Sequence, residues 1–272
     1  MAPNDFSTSG PDSDREPDPA QNARSQGVEP ESVPPHVPAN APDAALIEAL
    51  IGAYSQGYFP MADPEDGHGG DGGAIGWYDP DPRGIIPIVP GDPAGEFRVS
   101  KNLAQRVRSA RFTITSDQAF SHVIRACGQP RPAQGEDSTW IDGRIIGAYE
   151  QLHAAGHAHS VEAWTRPDPK TGSEPRLVGG LYGVSVGGLF AGESMFSRPD
   201  LGGTDASKVC LVHLVEHLRR RGYTLLDTQM TTEHIARFGG VEIPRAQYQR
   251  RLAEAVEMDV EWGVLDADTM RL

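Results

Sequence analysis

The stretch LVGGLYGVSVGGLFAGESMFS, residues 177–197, decides how this chain is read. Its apolar and small residues run up to Gly187–Gly188 and resume beyond them, the pattern of two strands joined by a tight turn. The second strand carries one acid, Glu193, among Phe190, Gly192 and Met195. Strict alternation puts Glu193 and Met195 on one face and Phe190 and Gly192 on the other. All four line one cavity only if the strand bulges or ends there. Further on, LLDTQM (225–230) reads as another strand and places Asp227 and Gln229 on one face. Apolar strands that present acids and an amide in this way suit the wall of an acyl-transfer site.

Outward from these strands, apolar spacing predicts a helix capped by Asp43, running through Leu46, Ile47, Leu50, Ile51 and Tyr54 to a stop at Gly57. Further helices are predicted over 117–127 with Asp117 as cap, 144–155 stopping at Gly156, 206–221 stopping at Gly222, and 246–256. Arg219, Arg220 and Arg221 suit a helix end that unpaired carbonyls make negative. HAHSVEAW (157–164) alternates as a strand, and GWYDPDPRGIIPI (76–88) is turn-rich and then extended. Strands alternating with helices indicate a mixed α/β or α+β domain. Residues 1–42 are dense in Pro, Asp and Ser, too polar to offset chain entropy, and are expected to be disordered. The loop DPEDGHGGDGG (63–73) reads as a flexible surface insertion.

The full chain has 272 residues and a net charge of −14, which disfavours non-specific binding along nucleic acid. Eight acids against two bases in residues 1–43 concentrate part of that charge in the tail. Cys127 and Cys210 are the only cysteines, as expected of a reducing compartment without a disulfide framework. No apolar run approaches the roughly 18 residues of a membrane helix. The N-terminus does not resemble a secretory signal. A cytoplasmic protein is the expectation.

Other constellations compete for attention. His213-Leu-Val-Glu-His217 places two histidines at i, i+4 on a helix, as zinc requires, but no third ligand follows. It is read as a solvated helix face. His153, His157 and His159 fit no common ligand spacing, so no metal is expected. Trp77 and Trp140 read as core residues, although a ring beside a pocket can also stack on a nucleobase. Lys101, Arg106, Arg108 and Arg111 form the most concentrated basic run, joined by Arg219–Arg221. Such a run is ordinarily a solvated face, yet a local patch can hold phosphates against an unfavourable net charge.

Together these residues resemble the leucyl/phenylalanyl-tRNA–protein transferase family. The strings that carry the resemblance are GYFPM, WYDPDPRG, STWI, AYEQLHAAGHAHSVEAW, the 177–197 stretch, ASK, LLDTQM with His234 after it, and EIPRAQYQRRL, spanning about 44–255. The resemblance implies an α+β protein in which a small N-terminal domain (43–83) precedes a GNAT-like acyltransferase domain (84–272) with a mixed sheet flanked by helices. It implies transfer of Leu or Phe, and less well Met, from Leu-tRNA or Phe-tRNA to a protein beginning with Arg or Lys. It implies an aminoacyl pocket of Leu181, Phe190, Met195, Leu211 and Leu226, with Trp140 near the terminal adenosine. It implies Asp227 and Gln229 as the pair that activates the attacking amine, with Glu193 and Gly192 lining the same site. Phosphates of the tRNA would lie on Lys101, Arg106, Arg108 and Arg111. The chain departs from the family at Met61, where a Trp is usual, and in an insertion at 199–205.

The residues fit this chemistry independently. An aminoacyl ester is already activated, so no ATP, metal or other cofactor is implied. The protein has to hold ester and amine about 3 Å apart and handle one proton. A carboxylate polarising an amide oxygen that accepts the amine N–H suffices. Two alternatives remain: an acetyl-CoA-dependent acetyltransferase, whose phosphate loop is poorly matched by Arg219-x-x-Gly222-x-Thr224, and a non-catalytic tRNA- or peptide-binding module. A monomer is expected. Asp227 and Gln229 do not read as packing residues.

Overall fold

The protein is described from a computed structural model, covering residues 43–62, 73–130, 139–167, 172 and 174–267. The acidic tail and nearly all of the 63–73 loop lie outside the described residues. The central hairpin forms as the sequence predicts, with β6 over Leu177–Val186 and β7 over Leu189–Ser197. Gly187 turns the chain at φ +54°, where a Cβ would also lie 2.6 Å from the Ala255 carbonyl oxygen.

Around this hairpin stands a seven-stranded mixed sheet in the order β4-β5-β6-β7-β8-β3-β9. The remaining strands are β3 (Arg83–Ile86), β4 (Phe112–Ser116), β5 (Ala158–Thr165), β8 (Leu225–Gln229) and β9 (Val241–Ile243). All neighbours are antiparallel except β7 and β8. That parallel pair needs a crossover, supplied by the helix Ala206–Arg221. A separate two-stranded sheet joins β1 (Phe59–Ala62) to β2 (Ile75–Tyr78).

Seven helices are described: α1 (Asp43–Ser55), α2 (Lys101–Arg108), α3 (Phe120–Cys127), α4 (Gly143–Ala154), α5 (Ala206–Arg221), α6 (Glu233–Arg237) and α7 (Arg245–Val256). α1, α3 and α4 cover one face of the sheet, and their Tyr54, Phe120 and Tyr149 share a cluster with Tyr182, Ala191 and Phe196 of the strands. α2 and α5 cover the other face, where Leu103, Val107, Leu214 and Leu218 join Leu181, Phe190 and Leu226. α7 continues the first face with Tyr248 and Leu252 against Leu189 and Leu225. The architecture is α+β, a mixed sheet with helices on both sides. Among the described residues no helix is long and apolar enough to cross a membrane.

Local chemistry sets the helix starts. Asp142 caps α4 by accepting from the N–H groups of Arg144 and Ile145, each at 2.9 Å. Asp117 does not cap α3, which begins at Phe120. It sits instead at φ +58° and accepts from Ser160 N–H at 2.9 Å, with the His159 ring also at 2.9 Å. The solvated reading of His213 and His217 also fails. They are 7% and 5% exposed, because α5 is covered by the sheet and by Trp262, whose ring lies 4.4 Å from that of His217. No group of three potential metal ligands occurs among the described residues.

Candidate active site

The pairing of β6 with β7 slips by one residue: Tyr182 faces Ser194 and Gly183 faces Gly192, so Glu193 has no partner. This is a bulge. Gly183 makes it possible, since a Cβ there would lie 2.3 Å from the Ala191 carbonyl oxygen and 2.5 Å from the Phe190 ring. The extra residue reverses the alternation. Glu193 turns to the α1/α4 face, where it meets Tyr54 and Tyr149, while Met195 packs with Phe190 against the α5 face. Glu193 and Met195 therefore do not share a face as strict alternation predicts.

A second irregularity opens the sheet. β7 pairs with β8 only from Leu189 to Ala191, opposite Leu225 to Asp227. Beyond that point the strands part. A Cβ on Gly192 would meet nothing closer than the Asp227 carbonyl oxygen at 3.6 Å. The gap is bordered by Gly192 and Glu193 on one strand and by Thr228 and Gln229 on the other.

On the α1/α4 side of the gap, Glu193 accepts from Tyr54 Oη at 2.8 Å, Tyr149 Oη at 3.2 Å and Gln229 Nε2 at 3.3 Å. The two tyrosine hydroxyls also bond to each other. Burial, with the Asp227 charge added, outweighs these donors and pushes the Glu193 carboxyl up to about 8. Gln229 Oε1 is left without a partner among the described residues. Gln229 itself is held at φ +57° in a tight turn closed by Met230 N–H to the Thr228 carbonyl at 2.6 Å. A residue other than glycine in that conformation is strained and persists only where its surroundings enforce it. Asp227 Oδ1 provides the enforcement by accepting from the Gln229 backbone N–H at 2.8 Å.

Asp227 is 1% exposed and is a packing residue as much as a site residue. Arg83 grips it with Nε at 2.9 Å and Nη2 at 2.6 Å, and Tyr248 Oη donates to it at 2.8 Å. Arg83 is equally buried and also meets Asp79 at 3.2 Å. Burial opposes the Arg83 charge, but the Asp227 carboxylate more than offsets it and raises its pKa. Asp227 thus contacts the backbone of Gln229, and the carboxyl group at the Gln229 side-chain amide is Glu193.

The residues implied for one substrate fall on both faces. Leu181, Phe190, Leu211 and Leu226 are buried in the α5-side cluster, with Met195 packed against it. Met61 and Trp140 are buried in the α1/α4-side cluster. The pairing of β7 with β8 ends at Ala191 and Asp227. The hydroxyls of Thr228 and Tyr182 are buried without partners among the described residues. The basic run lies apart, on and after α2. Lys101 and Arg108 are exposed. Arg106 bonds to Asp205 at 2.7 Å and to the Thr204 carbonyl at 3.0 Å, and Arg111 to the Gly202 carbonyl at 2.9 Å. The 199–205 insertion thus engages two of the four cations. Sequence reading missed Arg83, Tyr149 and Tyr248 and took Tyr54 only as a core residue. The available signal was an Arg opening an apolar strand in DPRGIIPI.

A carboxyl group whose pKa is raised to about 8, an amide bonded to it, and an apolar cluster on the opposite face of a parted sheet suit a protein that passes an acyl group to an amine, the work of an acyltransferase. The family profile described as leucyl/phenylalanyl-tRNA protein transferase matches residues 92–253, and that of its N-terminal domain matches residues 45–81. The chain belongs to this aminoacyltransferase family. It is 46% identical over 221 residues to the leucyl/phenylalanyl-tRNA–protein transferase of Rhodopseudomonas palustris (strain TIE-1), covering 81% of this chain and 87% of that one. It is 43% identical over 232 residues to that of Salinibacter ruber (strain DSM 13855 / M31), covering 85% and 89%. Among solved structures, FemX is similar at a TM-score of 0.40 and 13% identity, over 76% of this chain and 65% of that one.

Proposed function

We propose that this protein transfers Leu or Phe, and less well Met, from aminoacyl-tRNA to the N-terminal Arg or Lys of acceptor proteins, acting as a cytoplasmic monomer. The new N-terminus would mark the acceptor for degradation. The contact of Gln229 Nε2 with Glu193 Oε1 at 3.3 Å carries the mechanism. A carboxylate accepting from the amide nitrogen draws electron density onto Gln229 Oε1. That oxygen accepts an N–H of the acceptor amine and aims its lone pair at the ester carbonyl. The amine nitrogen bonds to the carbonyl carbon, the bond to the ribose oxygen breaks, and the departing oxygen leaves with the proton that the nitrogen gives up. Asp227 acts as a positioning residue, fixing the Gln229 turn through the backbone and anchoring Arg83.

The leucyl or phenylalanyl side chain would occupy the recess of Leu181, Phe190, Met195, Leu211 and Leu226. One methylene there is worth roughly 1–3 kcal/mol, so β-branched side chains are rejected mainly by shape. Met61 and Trp140 would flank the terminal adenosine. Phosphates farther along the tRNA would lie on Lys101 and Arg108. The negative charge of ionised Glu193 favours a cationic acceptor terminus over a neutral one. The test is label transfer from Leu-tRNA and Phe-tRNA to a protein with N-terminal Arg, with acetyl-CoA as control donor. Acetylation without aminoacylation would establish the acetyltransferase alternative instead.

A further inference from the structure

A cavity of about 320 Å³ lies between α2, β4 and α5, away from Glu193 and Gln229. β4 is three strands from β7 and four from β8, which puts it about 14–19 Å from the parted strands at ~4.8 Å per strand. Its rim carries Arg106, Arg108, Arg111 and Arg166, and its lining contains no acid. Arg108 and Arg166 are exposed and have no partner among the described residues. The wall includes Phe112 and Ile114, and one imidazole, His213, faces the space.

His213 is 7% exposed and makes no hydrogen bond within the described residues. Burial, helped by Arg220, lowers its pKa to about 4, so the ring is neutral at pH 7. A neutral imidazole offers one donor and one acceptor. The ring lines the cavity, where a ligand can use either role.

These features select a ligand. Several guanidinium groups at a rim without acids suit a phosphate, which arginine binds through two parallel N–H bonds. Phosphate alone does not fill the space, which is about ten times the ~30 Å³ share of one water. The remainder is a wall of ring and aliphatic carbon with one donor–acceptor group at its floor. That combination accepts a flat heteroaromatic body with a polar edge, and arginine planes also stack on such bodies.

We propose that this cavity binds a nucleotide, its phosphate on Arg108 and Arg166 and its base against Phe112 with an edge on His213. Where the nucleotide belongs to the tRNA, the site rests on the tRNA reading of Arg108 above, whereas direct AMP binding tests the cavity whether or not aminoacyl transfer is observed. The nucleotide comes either from a bound tRNA or from solution.

The experiment is calorimetric titration of the full-length protein with 5′-AMP and, separately, inorganic phosphate at low salt. AMP should bind at least tenfold more tightly than phosphate. The exposed pair Arg108→Ala/Arg166→Ala should weaken AMP binding by tenfold or more without loss of folding. His213→Leu should weaken it several-fold while leaving phosphate binding unchanged. Displacement of AMP by uncharged tRNA would assign the site to a nucleotide of the tRNA. AMP retained in the presence of saturating tRNA would assign it to a free nucleotide. Phosphate binding as tight as AMP, no AMP binding, or AMP binding indifferent to the double arginine variant would each overturn the proposal.

Discussion

Asp227→Asn separates a positioning role from a proton-handling one. The substitution keeps the shape but removes the charge that Arg83 grips with Nε at 2.9 Å and Nη2 at 2.6 Å. Arg83 is 1% exposed and would keep only Asp79, at 3.2 Å, as a counter-charge. Removing one partner of a buried pair leaves an uncompensated charge and costs about 3–5 kcal/mol. For a domain of this size, ~1 kcal/mol lowers Tm by about 2–4 °C, so a fall of roughly 6–20 °C is expected. Scanning calorimetry or circular dichroism reads it directly. Asp227→Asn combined with Arg83→Met removes both charges and should recover much of the loss. Single-turnover transfer, measured below the variant's Tm, should fall because the new amide NH2 faces Arg83 Nη2 and Tyr248 Oη, two donors, and displaces the side chain whose Oδ1 holds the Gln229 turn, while the pH profile keeps its shape. A Tm within about 2 °C of the parent protein would refute the buried-pair account, and with it the claim that Asp227 works through the Gln229 backbone.

Glu193 gives a pH-dependent prediction. Folding raises its pKa from the ordinary 4.5 to about 8, so the folded state holds the proton more tightly and stability declines as pH rises between those values. Glu193→Gln should flatten that decline. The acceptor α-amine also titrates near ~7.7–8.0, so below pH 7 log rate should rise with a slope near two in the parent protein and near one in the variant; equal slopes would remove Glu193 from the mechanism. Tyr54→Phe deletes a 2.8 Å donor to Glu193, and a hydrogen bond to a charged group is worth about 1.5–3 kcal/mol. Transfer at pH 7 should fall tenfold or more and recover at higher pH, which a full pH–rate profile would test. Lys101→Ala/Arg108→Ala should weaken all aminoacyl-tRNAs alike and reduce the salt slope of binding by about 0.7–0.9 for each phosphate no longer neutralised; an unchanged slope would place the tRNA elsewhere.

Patterns with a period were legible in the sequence. The hairpin at Gly187, the strand 225–230 and the helix ending at Gly222 follow from alternation, helical spacing and glycine stops, and each lies within a residue or two of its prediction. The bulge was legible only as a condition, because alternation shows that Glu193 and Phe190 cannot share a cavity but not which residue is extra. Contacts between distant segments left no local trace. Arg83 and Asp227 are 144 residues apart, and Tyr54 and Glu193 are 139 apart. Nothing in either neighbourhood announces its partner. The burial of His213 and His217 was hidden for the same reason, since Trp262 and the sheet cover the helix from opposite ends of the chain. Asp117 failed as a cap because a competing acceptor role, toward Ser160 and His159, was set by tertiary packing.

The single unpaired residue in β7 divides labour between two sides of one sheet. Phe190 and Met195, proposed to hold the transferred side chain, and Glu193, proposed to steer the proton, lie on a common strand but on opposite faces of the sheet. A change in Met195 or Phe190 alters volume on one face without touching the acid on the other. On the proposed roles, selectivity and turnover could therefore drift independently over generations. Deleting one residue between Gly192 and Met195 would end that independence at a stroke, since restored alternation forces the acid or the thioether through to the wrong side.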